Sequence, residues 1–198
     1  MPLSPSAPTK AELRRHLLHQ RQTLDPDRWL DRSHRLCQHL RRSPQFHHAQ
    51  TVLGYWSFRH EPDLSSLWTL PKRWGLPRCV GPDLVWHRWS LGQPLTQDRY
   101  GIWSPEATAP LLDPKTVDLV LVPCVACDRQ GYRLGYGGGF YDRLLSKAPW
   151  NQVVTLGILF ADHLQDTLPH DPWDRPLTGV CTEAGIEWYQ PPQQTAQE

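Results

Sequence analysis

The stretch Arg133-Leu134-Gly135-Tyr136-Gly137-Gly138-Gly139-Phe140-Tyr141-Asp142-Arg143 gathers the residues best suited to chemistry. Four of the five residues from Gly135 to Gly139 are glycine. Inside a helix or strand each would cost about 0.5–1 kcal/mol relative to alanine. The run belongs where the backbone takes positive φ or where another group approaches closely. Loop N–H groups left free ahead of a helix suit a bound anion such as phosphate. A flexible linker is the plain alternative, but linkers rarely carry Tyr, Phe and Tyr at this density.

The elements around the loop support the anion reading. Upstream, Val117-Asp118-Leu119-Val120-Leu121-Val122-Pro123 is a short apolar, β-branched run closed by proline, which predicts a buried strand. Downstream, residues 140–147 predict a short helix ending before Pro149. Known glycine motifs do not fit: the Gly-Lys-Ser/Thr ending of a P-loop is absent, and G-x-G-x-x-G read from Gly135 puts Phe140 at its third glycine. The residues alone imply an anion site in an α/β protein.

Other groups must reach that loop. Thr9 and Glu12 form a capping box that opens a helix near Lys10. Leu13, Leu17 and Leu24 make its buried stripe, with Lys10, Arg14 and Arg21 within about 40° of each other on the adjoining face. A solvated cationic face is the bland reading; phosphate pairing is the sharp one. Asp25-Pro26 caps a second helix, whose inner face holds Trp29, Ser33, Leu36, Cys37 and Leu40. Residues 51–58 predict the first strand, running into a loop with Glu61 and then a helix through Trp68. Ligands collect beyond the carboxyl ends of strands in open α/β sheets, so Trp56 and Glu61 stand where a pocket would form. Glu61 could equally cap the following helix at Pro62. Residues 75–80 and 84–89 read as a strand pair around Gly81-Pro82-Asp83, and residues 153–160 as another buried strand.

Composition excludes several classes. With 198 residues, 21% charged residues and a formal net charge of +1, the chain has no global pull toward nucleic acid or membrane. No apolar run approaches the ~20 residues of a membrane span, and no signal peptide is visible. Five scattered cysteines suggest reduced thiols in a cytoplasmic protein. Cys124 and Cys127 read as ordinary core or loop cysteines, since neither a helix N-terminus nor a second ligand pair follows. His47-His48, expected in a loop after the second helix, lacks a companion ligand and reads as surface. Residues 1–9 are expected as a mobile tail and residues 190–198 as a disordered one, leaving one domain over residues 10–189.

The residues also carry a resemblance. Val122-Pro123, Asp128, Gly131 and Arg133 to Arg143 resemble the signature of the 5-formyltetrahydrofolate cyclo-ligases, also called 5,10-methenyltetrahydrofolate synthetases, roughly V-P-G-x-A-F-D-x-x-G-x-R-L-G-x-G-x-G-Y-Y-D-R. Lys10, Arg14 and Arg21 are similar to the family's N-terminal K-x-x-x-R…R, residues 55–64 to its Y-x-P…E-x-D-T segment, residues 100–105 to its G-I-x-E-P loop, and residues 168–183 to its closing L-P-x-x-x-x-D…T-E. The likeness runs from Lys10 to about Glu183. Departures are Cys124 for glycine, Cys127 for an aromatic, Phe140 for the first tyrosine, Leu64 for threonine and Ser104 for glutamate.

The resemblance implies a single-domain, three-layer α/β/α fold with a mostly parallel sheet (NagB/RpiA/CoA-transferase-like). It implies a carbon–nitrogen cyclo-ligase that closes 5-formyltetrahydrofolate to 5,10-methenyltetrahydrofolate at the expense of ATP, with Mg²⁺, ADP and phosphate. ATP binding then falls to Lys10, Arg14, Arg133, Leu134, Gly135, Tyr136, Gly137, Gly138, Gly139, Phe140 and Tyr141. Folate binding falls to Trp56 and Glu61 with Tyr136 to Phe140, and metal binding to Asp142 and Asp174. ATP and the folate are the only partners expected, with no nucleic acid, no membrane and a monomeric state. Two rivals remain: an isomerase or CoA-transferase-like enzyme using Glu61 as a base, and a folate- or nucleotide-sensing protein without catalysis.

Overall fold

A computed structural model describes residues 8–189. The chain opens with α1 (Lys10–Gln22), α2 (Pro26–Arg42), the short α3 (Pro44–His48) and β1 (Thr51–Leu53). Next come β2 (Arg73–Val80), β3 (Asp83–Trp89), β4 (Leu95–Gln97), β5 (Trp103–Pro105), β6 (Leu119–Pro123), β7 (Ala126–Asp128) and β8 (Arg133–Leu134). It closes with α4 (Phe140–Leu145), β9 (Val154–Ile158), β10 (Leu164–Gln165), β11 (Gly179–Thr182) and β12 (Gly185–Trp188).

Seven strands form the main sheet in the order β12-β11-β9-β6-β1-β2-β3. The five inner strands are parallel to one another, and β12 and β3 run antiparallel at the edges. Both faces are covered, which is why the central strands are continuously apolar. Leu119 and Leu121 of β6 pack with Leu36, Leu40 and Phe46 of α2 and α3. Val120 and Val122 point the other way, onto Leu144, Leu145 and Trp150. This is the mixed α/β layering that the sequence implies.

The local signals for the first two helices act as expected. Thr9 Oγ1 accepts from Glu12 N at 3.3 Å while Glu12 Oε2 accepts from Thr9 N at 2.9 Å. Asp25 accepts from Asp27 N and Arg28 N ahead of Pro26. Three expectations need correction. The first strand stops at Leu53 rather than Phe58, because after Gly54 N donates to Gly75 O the chain turns back and Tyr55 donates to Pro62 O. The helix expected through Trp68 is a single 3-10 turn, Ser65–Leu67, and the carboxylate bonded at its start is Asp63, not Glu61. His47 and His48 lie in α3 rather than a loop, though both are exposed.

A second, three-stranded sheet, β10-β7-β8, carries the site. The glycine loop does not follow the buried β6 directly: the β7–β8 hairpin intervenes. Helix α1 packs on this small sheet, with Leu17 against Val125, Ala126, Leu134 and Leu168. Its basic residues are thereby carried to the loop. The expected tails fall largely outside the described residues.

Candidate active site

One half of the candidate site is built from α1, the glycine loop and the segment before β11. Gly139 caps α4 with φ 64°, a left-handed conformation that favours glycine. A Cβ on Gly135 would meet nothing within 4 Å, so the protein leaves open space beside that backbone. Leu134 is buried in the small-sheet core and anchors the loop from below. Phe140 and Tyr141 are half-buried; Phe140 meets Tyr100 edge-on at 6.0 Å. Arg14 Nε donates to Gly135 O at 2.6 Å, which lays its guanidinium against Gly137.

Three carboxylates in this half hold cations. Lys10 Nζ donates to Asp171 Oδ2 at 2.6 Å and to Asp174 Oδ2 at 2.5 Å. Burial would lower Lys10, but its two carboxylates outweigh that and hold it above the ordinary lysine value. Asp174 is opposed by burial yet held below the usual carboxylate range by Lys10 and by the Asp171 N–H. Arg133 Nη2 donates to Asp142 Oδ1 at 2.7 Å and Nη1 to Arg175 O at 2.7 Å. With its side chain 5% exposed, Arg133 is turned onto Asp142 instead of standing free for phosphate.

These carboxylates fit Mg²⁺ in a specific way. No group of three or more His, Cys, Asp or Glu side chains converges among the described residues. Mg²⁺ commonly takes one or two carboxylates and completes its shell with phosphate oxygens and water. Asp142 and Asp174 are hard oxygen donors beside the loop, so the residues suit a metal arriving with a phosphate.

The other half lies beyond β1. Glu61 is 3% exposed, and both its oxygens are bonded: Oε2 accepts from Phe58 N at 3.0 Å and Oε1 from Tyr136 Oη at 2.9 Å. Its backbone carbonyl accepts from Trp29 Nε1 and Ser57 Oγ. The two preceding residues, Arg59 and His60, have φ of 49° and 57°, a conformation costing of order 1 kcal/mol or more at non-glycine residues. Burial pushes the Glu61 carboxyl up to about 7, against the opposing pull of Arg21, the Tyr136 hydroxyl and the Phe58 N–H. Trp56 stands half-buried behind this loop, edge-on to Trp89 at 5.8 Å.

The halves join through Tyr136, whose hydroxyl also accepts from Arg21 Nη2. Sequence reasoning put Arg21 with Lys10 and Arg14 on the face adjoining the buried stripe; it is 2% exposed and turned inward. It also left Asp171 and Arg175 without roles, although Asp171 falls in the motif that places Asp174. No sequence signal marks the left-handed pair Arg59-His60. Ser104, at the family's glutamate position, is buried and donates to Thr96 O, while Glu106 is exposed. Cys124 and Cys127 are buried free thiols, and burial pushes Cys124 up to about 12, which suits core residues.

The fold agrees with comparisons to known proteins. The profile of the 5-formyltetrahydrofolate cyclo-ligase family matches residues 6–183. The 5-formyltetrahydrofolate cyclo-ligase of Escherichia coli strain K12 is 30% identical over 181 residues, spanning 85% of this chain and 98% of that protein. The Haemophilus influenzae 5-formyltetrahydrofolate cyclo-ligase is 32% identical over 141 residues, 67% of this chain and 75% of that one. The solved structure of Aquifex aeolicus 5,10-methenyltetrahydrofolate synthetase superposes with a TM-score of 0.80 at 28% identity, covering 95% of this chain and 99% of that one. The chain belongs to the 5-formyltetrahydrofolate cyclo-ligase family.

Proposed function

We propose that the protein catalyses the ATP- and Mg²⁺-dependent closure of 5-formyltetrahydrofolate to 5,10-methenyltetrahydrofolate, releasing ADP and phosphate. The observation carrying this reading is the junction at Tyr136, where a glycine loop suited to phosphate touches a buried carboxylate suited to a pterin. A carboxylate accepts two hydrogen bonds, matching the amino and ring N–H edge of a pterin. Family membership supplies the reaction class.

The chemistry follows from a poor leaving group. The formyl oxygen attacks the γ-phosphorus of ATP and ADP departs. N10 of the folate then bonds to the activated formyl carbon, the C–O bond breaks, and the oxygen leaves within inorganic phosphate as N10 gives up its proton. Phosphoryl transfer depends mainly on positioning and charge neutralisation. Lys10 and Arg14 would hold phosphate oxygens beside the loop N–H groups, and Glu61 would orient the pterin. When bound, Mg²⁺ held by Asp142 and Asp174 would neutralise charge building on the phosphates. No protein nucleophile is needed, since N10 belongs to the substrate. We place this activity in the cytoplasm, in a monomer, with the five free cysteines supporting a reducing compartment.

The test supplies 5-formyltetrahydrofolate labelled with heavy oxygen in its formyl group together with unlabelled ATP. Methenyl absorbance should rise only with ATP, and the label should leave in phosphate. Turnover without ATP would favour an isomerase-like enzyme, and binding without product a sensor. Methenyl product with unlabelled phosphate would overturn the phosphorylation step alone.

A further inference from the structure

The geometry points to Arg21 as a positioning residue that acts through the Tyr136 hydroxyl on Glu61, so that nucleotide and folate bind with positive coupling. This rests on the assignment of the loop to nucleotide and of Glu61 to folate. Arg21 is 2% exposed and reaches three separate segments. Nε donates to Arg59 O at 3.0 Å, Nη1 to Cys124 O at 3.2 Å, and Nη2 to the Tyr136 hydroxyl. Two of these partners are neutral carbonyls and the third is a phenol. A buried guanidinium without countercharge is costly, and the negative charge nearest in the hydrogen-bond chain is Glu61, one phenol away.

The phenol has one proton to give. Because it accepts from Arg21 and donates to Glu61, that proton is aimed at the carboxylate, and the link is strongest when Glu61 is ionised. Tyr136 is 37% exposed while its hydroxyl faces inward, between Arg21 and Glu61. A ligand that orders the loop against the ring therefore also fixes the donor to Glu61. Pterin N–H groups bonded to Glu61 favour its ionised form and hold Tyr136 in place in return. Tyr136 occupies the open position of R-L-G-x-G, so the hydroxyl is a property of this chain and not of the motif.

Calorimetry tests the inference with the β,γ-imido analogue of ATP plus Mg²⁺ and with 5-formyltetrahydrofolate, each titrated alone and against protein saturated with the other. In the wild type each ligand should tighten the other by the same factor, roughly five- to tenfold. Tyr136→Phe should still bind both while the factor falls to within about twofold of one. Arg21→Lys should lower the factor, and combined with Tyr136→Phe should lower it no further. A merely structural Arg21 would change the melting temperature and leave the factor intact, which overturns the inference. So does a Tyr136→Phe protein retaining wild-type coupling, and this variant decides the matter should Arg21→Lys not fold. A wild type that binds both ligands without coupling overturns only this inference. One that binds neither overturns the proposed function too.

Discussion

Glu61 sets two demands against each other at the scale of one residue. Its burial favours the neutral acid, up to about pH 7, while a pterin edge of N–H donors favours the carboxylate. Folate affinity should therefore rise as pH climbs from 6 to 8, and Glu61→Gln should flatten that profile. The variant should also bind folate about 1.5–3 kcal/mol more weakly, the worth of a charge-assisted pair, with ATP affinity nearly unchanged. Stability has the opposite slope. A carboxyl raised from 4.5 to about 7 in the folded protein contributes stability fully present below pH 4.5 and lost as pH rises through 7. Between pH 5 and 8 the wild type should lose up to about 3 kcal/mol relative to Glu61→Gln. Denaturant unfolding of both proteins across that range measures it, and parallel curves would show that Glu61 titrates as an ordinary surface acid.

At the scale of elements, α1 and the glycine loop form one device. The capping box and leucine stripe of α1 were legible in the sequence because they are local and periodic. The direction of its basic face was not, since that depends on α1 packing on a small sheet made of strands of two and three residues. Such strands leave no period-2 signal. For the same reason the β7–β8 hairpin went unread, and Arg133 looked like a free cation when it is bonded to Asp142. Lys10→Ala and Arg14→Ala should raise KM for ATP severalfold while KM for folate moves little, because Arg14 bonds the loop at Gly135 O and Lys10, one helical turn away, is held by Asp171 and Asp174. A lowered melting temperature with equal KM values would make them structural. Asp142→Asn should depress kcat more than nucleotide affinity, and a magnesium titration with near wild-type kcat would remove Asp142 from the metal site.

Across the whole molecule, the parallel sheet has to hold its carboxyl-end loops still while ligands come and go. The central strands were readable because burial on both faces makes them uniformly apolar. What locks α2 to the far end of the sheet was not, because it joins residues about 150 positions apart. Glu183, after β11, accepts from Arg32 Nε at 2.7 Å and from Ala161 N at 2.9 Å. Its carbonyl accepts from Arg35 and bonds the His39 ring. Arg32 also pairs with Asp162 and lies over the Phe160 ring at 4.5 Å. Glu183 is 7% exposed, so removing its carboxylate takes one of the two anionic partners from Arg32, leaving Asp162, and leaves Ala161 N without its acceptor. Glu183→Ala should destabilise the fold by about 1.5–3 kcal/mol, read from the shift in urea midpoint at unchanged m-value. None of these contacts involves the glycine loop or Glu61. KM for both substrates should therefore stay within about twofold of wild type under conditions where the variant is folded, since distant independent sites behave additively. A variant as stable as wild type, or one with KM values raised several times over, would mean that the clamp serves the site and not the scaffold.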